Sequence, residues 1–213
     1  MKKVLILGMS LLLVIAMIVA ASAETAVQAV TLSDWANNSG WMSFAELAQD
    51  DALTEAWEAG AKVFGPMLGI EDLDGPTLRA LNAQMCGMED GIVSLAFSED
   101  SISAMNANGG VVFSYQYDLV DTLENAIEGE PLYVFKTEDN AAGKYTYLCL
   151  TLPAKASDEG GIITNFNLRY AEDNYKMLAI EKYAGVTCVM VSGETTVEDM
   201  EYTIRLIYTG SAE

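Results

Sequence analysis

From Gly87 onward the apolar spacing changes from threes and fours to twos, and that change constrains the fold more than any other feature. Six segments alternate in this way: Gly91–Phe97, Ser101–Met105, Val111–Tyr117, Leu132–Thr137, Lys144–Leu152 and Ile162–Tyr170. Period two belongs to a strand with one buried face. Turn-rich pieces separate them, among them Asn106-Ala107-Asn108-Gly109-Gly110, Glu138-Asp139-Asn140 and Ser157-Asp158-Glu159-Gly160-Gly161. Six short strands in about eighty residues predict an antiparallel sheet that curls or closes into a barrel.

Helical spacing flanks this block. Leu53, Ala56, Trp57, Gly60, Ala61 and Phe64 recur at three and four, with Asp50 and Asp51 at the favourable end of the helix dipole. Gly65-Pro66 reads as the end of that helix. A second helix is expected from Asp74-Gly75-Pro76 to about Met85, with Pro76 in the first turn. After Tyr170 a helix is expected from Ala171 to about Tyr183. Thr195 stands three before Glu198, a capping-box spacing that opens a helix bearing Val197, Met200, Ile204 and Ile207. A strand over Tyr202–Tyr208 is the alternative. No repeat or long linker interrupts the chain, so one mainly β domain with flanking helices is expected.

The N-terminus has the form of a cleavable signal peptide over residues 1–23. Met1-Lys2-Lys3 is followed by an apolar run to about Ala20 and by the small-x-small site Ala21-Ser22-Ala23. Residues 24–31 form a polar lead, and the domain is expected over 32–213. No cysteine follows the apolar run, so a lipid anchor is not expected. The expected location is outside the cytoplasm: periplasmic, cell-surface or extracellular.

The whole chain has 11 basic and 31 acidic residues, a net charge of −20. Removal of Lys2 and Lys3 with the signal makes it more acidic still. Such a charge repels phosphate backbones and excludes nucleic acid as a partner. The expected partners are a small polar ligand, a divalent cation, or another protein of the cell surface or envelope.

The chain contains no histidine. This removes the usual general base and the commonest metal ligand. Lysines are few and no Gly-x-Ser-x-Gly elbow occurs, so no catalytic residue is assigned and the chain is read as a non-enzyme. The acidic clusters at Glu71-Asp72-Leu73-Asp74 and Glu198-Asp199-Met200-Glu201 lack calcium-loop spacing and read as helix starts. Cys86, Cys149 and Cys188 allow one internal disulfide in three pairings, in a compartment that permits it. In Ile162–Tyr170 the alternate positions carry Asn165 and Asn167, two amides on one face of a strand. They read equally as a solvated edge or as part of a pocket. Tyr147, Cys149 and Thr151 share a face on Lys144–Leu152.

Several stretches, in order, resemble the ZinT (YodA-like) family of exported, zinc-binding proteins. They are Leu32-Ser33-Asp34-Trp35 with Gly40-Trp41-Met42-Ser43, then Ala52-Leu53-Thr54-Glu55-Ala56-Trp57-Glu58 and Met88-Glu89-Asp90-Gly91-Ile92-Val93. Tyr115-Gln116-Tyr117-Asp118, Lys144-Tyr145-Thr146-Tyr147-Leu148, Asn165-Phe166-Asn167-Leu168-Arg169-Tyr170 and Gly193–Met200 follow. The resemblance implies a calycin or lipocalin-like β-barrel with flanking helices and an ancestral role in capturing zinc for uptake. It places the family's three zinc-binding histidines at Thr151, Asn165 and Asn167. Neutral Asn and Thr oxygens hold zinc poorly beside imidazole. The resemblance therefore implies a degenerate metal site and no zinc cofactor. A small polar ligand would be oriented by Thr151, Asn165 and Asn167, with Tyr147 and Cys149 lining the pocket, or the domain would act as an interaction module. The alternative is divalent-cation binding through Cys149 and nearby carboxylates.

Overall fold

The computed structural model describes residues 30–127, 129–155, 162–180 and 187–211. The signal peptide, most of the polar lead, and the end of the helix expected over 171–183 lie outside the described residues.

Ten strands are present: β1 (Trp41–Ser43), β2 (Ile92–Phe97), β3 (Ser101–Asn106), β4 (Val111–Gln116), β5 (Asp118–Ile127), β6 (Glu130–Lys136), β7 (Tyr147–Leu150), β8 (Ala154–Lys155), β9 (Thr164–Ala171) and β10 (Cys188–Ser192). Nine of them form one antiparallel sheet in the order β4-β3-β2-β1-β10-β9-β7-β6-β5, and the short β8 adds to β9. The sheet is a nearly closed barrel. Its seam is covalent: β4 pairs with β3, β5 pairs with β6, and only Tyr117 separates β4 from β5. The Tyr117 amide donates to the Asp100 carbonyl at 2.9 Å, and its hydroxyl donates to the Tyr145 carbonyl at 2.7 Å. One bent stretch of chain thus serves both edges, which leaves little free edge to template association.

Alternation decides what fills the barrel. Leu95, Ile102, Phe113, Phe135, Leu148, Leu150, Phe166, Leu168 and Met190 point inward and join Trp35 and Trp41 in one buried cluster. Aromatic rings pack edge to face at its centre, with Trp41 and Phe166 centroids 4.8 Å apart and Trp35 and Phe135 5.4 Å apart.

The helices cover the outer face of β10. α1 (Phe44–Leu47), α2 (Thr54–Leu68), α3 (Gly75–Cys86) and α4 (Val197–Thr209) bury Phe44, Trp57, Phe64, Leu78, Met200, Ile204 and Tyr208 against Val189, Val191 and Ile163. α2 and α4 approach closely at Gly60, where an added Cβ would lie 2.8 Å from the Tyr208 Cβ.

Several expectations are corrected. α2 does not stop at Gly65-Pro66 but runs to Leu68. Proline removes one helical donor. The last turn instead closes in a Schellman motif: the Gly69 amide donates to Pro66 and the Ile70 amide to Gly65, with Gly69 at φ 70°. The α4 cap lies one residue beyond the expected Thr195–Glu198 pair. The Thr196 hydroxyl accepts from the Asp199 amide, and the Asp199 carboxylate accepts from the Thr196 amide. Tyr202–Tyr208 is helical, not a strand. The segment expected to begin a strand at Lys144 starts as a 3-10 turn over Gly143–Tyr145, and β7 begins at Tyr147. Of the helix expected after Tyr170, Ala171 instead ends β9, and the described remainder holds only a 3-10 helix, Tyr175–Ala179. Asp74 and Pro76 open α3 as expected, the Asp74 carboxylate accepting from the Thr77 amide at 2.8 Å.

Candidate functional site

β9 is a central strand, not an edge. It bonds β10 on one side and both β7 and β8 on the other. Phe166 and Leu168 enter the barrel core, so Ile163, Asn165, Asn167 and Arg169 point to the outer face. Along that face burial is uneven. Ile163 lies under the helices and Arg169 is buried, while Asn165 and Asn167 between them are half-buried.

Thr151 joins this row from the end of β7. Leu150 stands opposite Leu168, so Thr151 stands opposite Asn167. The Thr151 amide donates to the Asn167 carbonyl at 3.0 Å. The return bond is altered: the Asn167 amide donates to the Thr151 hydroxyl at 2.9 Å. The Thr151 carbonyl accepts instead from the Trp35 indole nitrogen, also at 2.9 Å. Trp35 is fully buried, and its own carbonyl accepts from the Trp41 indole at 2.7 Å. The barrel core is therefore bonded directly to the residue that ends β7.

The structure brings Thr151, Asn165 and Asn167 together on one outer face. A direct cross-strand pair has Cβ atoms roughly 5 Å apart, and residues i and i+2 on a strand lie roughly 7 Å apart. Neither asparagine side chain has a hydrogen-bond partner among the described residues. Leu152 and Ile162, near in sequence to the row, are exposed, whereas Thr151 itself is buried.

Tyr147 and Cys149 share the face of Thr151 but are covered. Tyr147 packs on Tyr175, with ring centroids 4.8 Å apart. Cys149 is buried with Leu132, Val134 and Leu178 beneath the 3-10 helix. Burial pushes its thiol up to about 12, against the pull of the neighbouring Arg169 cation. A neutral thiol beside a guanidinium is a poor place for a cation. The charge of Asp121 acts on Cys149, and its carboxylate already accepts from the Tyr175 hydroxyl at 2.8 Å. Among the described residues no three His, Cys, Asp or Glu side chains converge as a metal site would require. Arg169 itself donates through Nε to the Thr187 hydroxyl at 2.9 Å and through Nη1 to the Leu178 carbonyl.

A second polar group closes the other end of β7. Lys144 Nζ lies 2.5 Å from Glu89 Oε2 and 2.9 Å from Asp90 Oδ2, and the Tyr145 hydroxyl donates to Asp90 at 3.0 Å. The Lys144 hydrogen bond, then that of Tyr145, hold the Asp90 carboxyl below the usual range. Asp90 sits at φ 59°, in the left-handed region. One cation is thus shared between two carboxylates, and Lys144 is committed to the pair.

Trp35, Arg169 and Thr187 form part of the setting of this face without having been singled out for it. Arg169 is in phase with the two asparagines, so alternation alone carried that signal. The tie from Trp35 to Thr151 spans distant sequence and has no local signature.

No family model and no curated protein sequence matches the chain. Solved structures do. The Zn(II)-bound ZinT-like domain of Streptococcus pneumoniae AdcA superposes at TM-score 0.56 with 15% identity, over 86% of this chain and 94% of that one. Zn(II)-bound AdcA from Streptococcus pneumoniae superposes at TM-score 0.57 with 14% identity, over 88% of this chain but only 37% of that one. At such identities the likeness is one of fold, and it agrees with the barrel and helices described above. The chain has the fold of a ZinT-like domain.

Proposed function

We propose that this protein is a non-catalytic recognition domain working outside the cytoplasm, on a ZinT-like fold whose zinc site has been replaced by a polar, metal-free surface. The observation that carries this is the row Thr151, Asn165 and Asn167. These residues share one face, opposite and two apart, at the positions where the family resemblance sets three histidines. The similar AdcA domain is Zn(II)-bound. Here the same fold offers two half-buried amides, while the Thr151 hydroxyl is buried and accepts from the Asn167 amide; neutral oxygens of this kind compete poorly with water for zinc. Amides suit a different task. Each has two donors and an acceptor able to pair with a polar ligand or a polypeptide backbone. The half-buried setting of Asn165 and Asn167 on the outer face favours contact with such a partner there over a ligand enclosed in the barrel, where side chains fill the core.

Non-enzymatic action is supported by the lack of histidine and by the neutral, buried state of Cys149. Location outside the cytoplasm rests on the signal-like N-terminus. Among the described residues no helix is long and apolar enough to cross a membrane.

Thermal unfolding with and without zinc at near-neutral pH tests the reading. An ion held with Kd one hundredth of its free concentration adds about 2.7 kcal/mol to stability, which raises Tm by roughly 5–10 °C. The expected result is an unchanged Tm at zinc equimolar with protein. A rise of that size would overturn the metal-free reading.

A further inference from the structure

Three cysteines leave three disulfide pairings open in the sequence, and the fold separates them. Cys149 lies beneath the 3-10 helix Tyr175–Ala179, with Leu132, Val134 and Leu178. Cys86 is the last residue of α3, buried in the helical core. Cys188 is the first residue of β10, buried in the barrel core. These last two meet where the layers join. The Cys188 thiol lies 3.4 Å from the carbonyl oxygen of Gly87, the residue that follows Cys86.

From this geometry we propose that Cys86 and Cys188 form a disulfide that fastens α3 to β10, with Cys149 left as a free thiol. All three are free, buried thiols in the structure. Both thiols are pushed up by burial, and an ionised Cys86 would raise Cys188 further, which agrees with their proximity. Buried neutral thiols react slowly in the native state. The bond therefore forms during folding, while the helix–barrel seam is still open. The chemistry is thiol–disulfide exchange with a low-molecular-weight or enzymatic disulfide. One thiolate attacks the donor to give a mixed disulfide, and the second thiolate displaces the donor's remaining thiol. The protein loses two protons and two electrons, and the donor is reduced to two thiols.

A bond between positions 86 and 188 closes a long loop and restricts the unfolded chain strongly. It ties the helical layer to the barrel at the start of β10, beyond the three residues that β1 pairs. This inference does not rest on the proposed function, because it concerns the core and not the Thr151 face.

The full chain, refolded in a mixture of oxidised and reduced glutathione, provides the test. The product is denatured without reductant, alkylated, and examined by intact mass and peptide mapping. The expected result is one alkylated thiol at Cys149, one cross-linked peptide pair containing Cys86 and Cys188, and three alkylated thiols after reduction. The oxidised form should melt higher than the reduced form by roughly 5–15 °C. Cys149→Ala should leave the bond in place. Three alkylatable thiols after refolding, a bond to Cys149, or a cross-link between two molecules would each overturn the proposal.

Discussion

Replacing Trp35 by phenylalanine tests how the barrel core is tied to the candidate face. Trp35 is fully buried and packs on Phe97, Tyr133 and Phe135. Its indole N–H is the described donor to the Thr151 carbonyl. Trp35→Phe keeps an aromatic ring but removes that donor. A buried carbonyl left without its partner costs about 1–3 kcal/mol. The smaller ring gives up roughly another 1 kcal/mol of burial and packing. The sum is about 2–4 kcal/mol, or a Tm lower by roughly 5–15 °C for a domain of this size. Urea unfolding followed by circular dichroism measures it, with the midpoint falling and the m-value unchanged. Trp41→Phe should be coupled to it, because the Trp41 indole bond holds the Trp35 backbone and both rings share one buried cluster, so the double variant should lose less than the two single losses together. A loss below about 0.5 kcal/mol for Trp35→Phe would refute the argument that this indole bond organises the end of β7.

Further expectations concern packing, caps and pH. Gly60→Ala should destabilise by about 1–3 kcal/mol in urea, because the new methyl meets the Tyr208 Cβ and this outweighs the better helix propensity of alanine; a neutral or stabilising result would contradict the α2–α4 approach. Thr196→Ala should cost about 1 kcal/mol and Thr195→Ala almost nothing, and the reverse order would move the α4 cap back one residue. Asp121 has its carboxyl held low by the Tyr175 hydroxyl and then by the Thr122 amide. A depressed folded-state pKa contributes stability that is complete above the unfolded value near 3.9 and disappears as pH falls through the lower folded value. Tyr175→Phe should therefore flatten the acid side of the stability–pH curve below about pH 5, measured by urea midpoints from pH 6 to 3; an unaltered curve would show that this bond is not retained in solution.

What could be read from the sequence follows from how each element is buried. Strands with one face in the core and one half-exposed, such as β2, β3 and β9, alternate and were visible. β10 is covered by the barrel on one side and by helices on the other, so Cys188-Val189-Met190-Val191 is apolar throughout and shows no period. β1 is three residues long and pairs on both sides, too short for any pattern. β5 is rich in acids and interrupted by register shifts, which hides its alternation. The starts of α3 and α4 were legible to within a residue, because capping chemistry is local. The Pro66 error has the opposite cause: the Schellman closure depends on Gly69 and Ile70, beyond the apparent stop signal. In the candidate site, spacing put Asn165 and Asn167 on one face. Placing Thr151 opposite Asn167 required the β7–β9 register, which only the folded chain defines. Covering of Tyr147 and Cys149 by the Tyr175–Ala179 turn was likewise invisible, since that contact joins separate segments.

Zinc titration of the triple variant Thr151→His, Asn165→His, Asn167→His beside the natural chain tests the central claim most directly. Three imidazoles at those positions, with water as the fourth ligand, make an open tetrahedral zinc site. The account predicts saturable one-to-one binding in the variant, with Tm raised by roughly 5–10 °C when free zinc exceeds Kd a hundredfold, and no such rise in the natural chain. A folded variant that gains no zinc affinity, or a natural chain that binds zinc as well as the variant does, would contradict it.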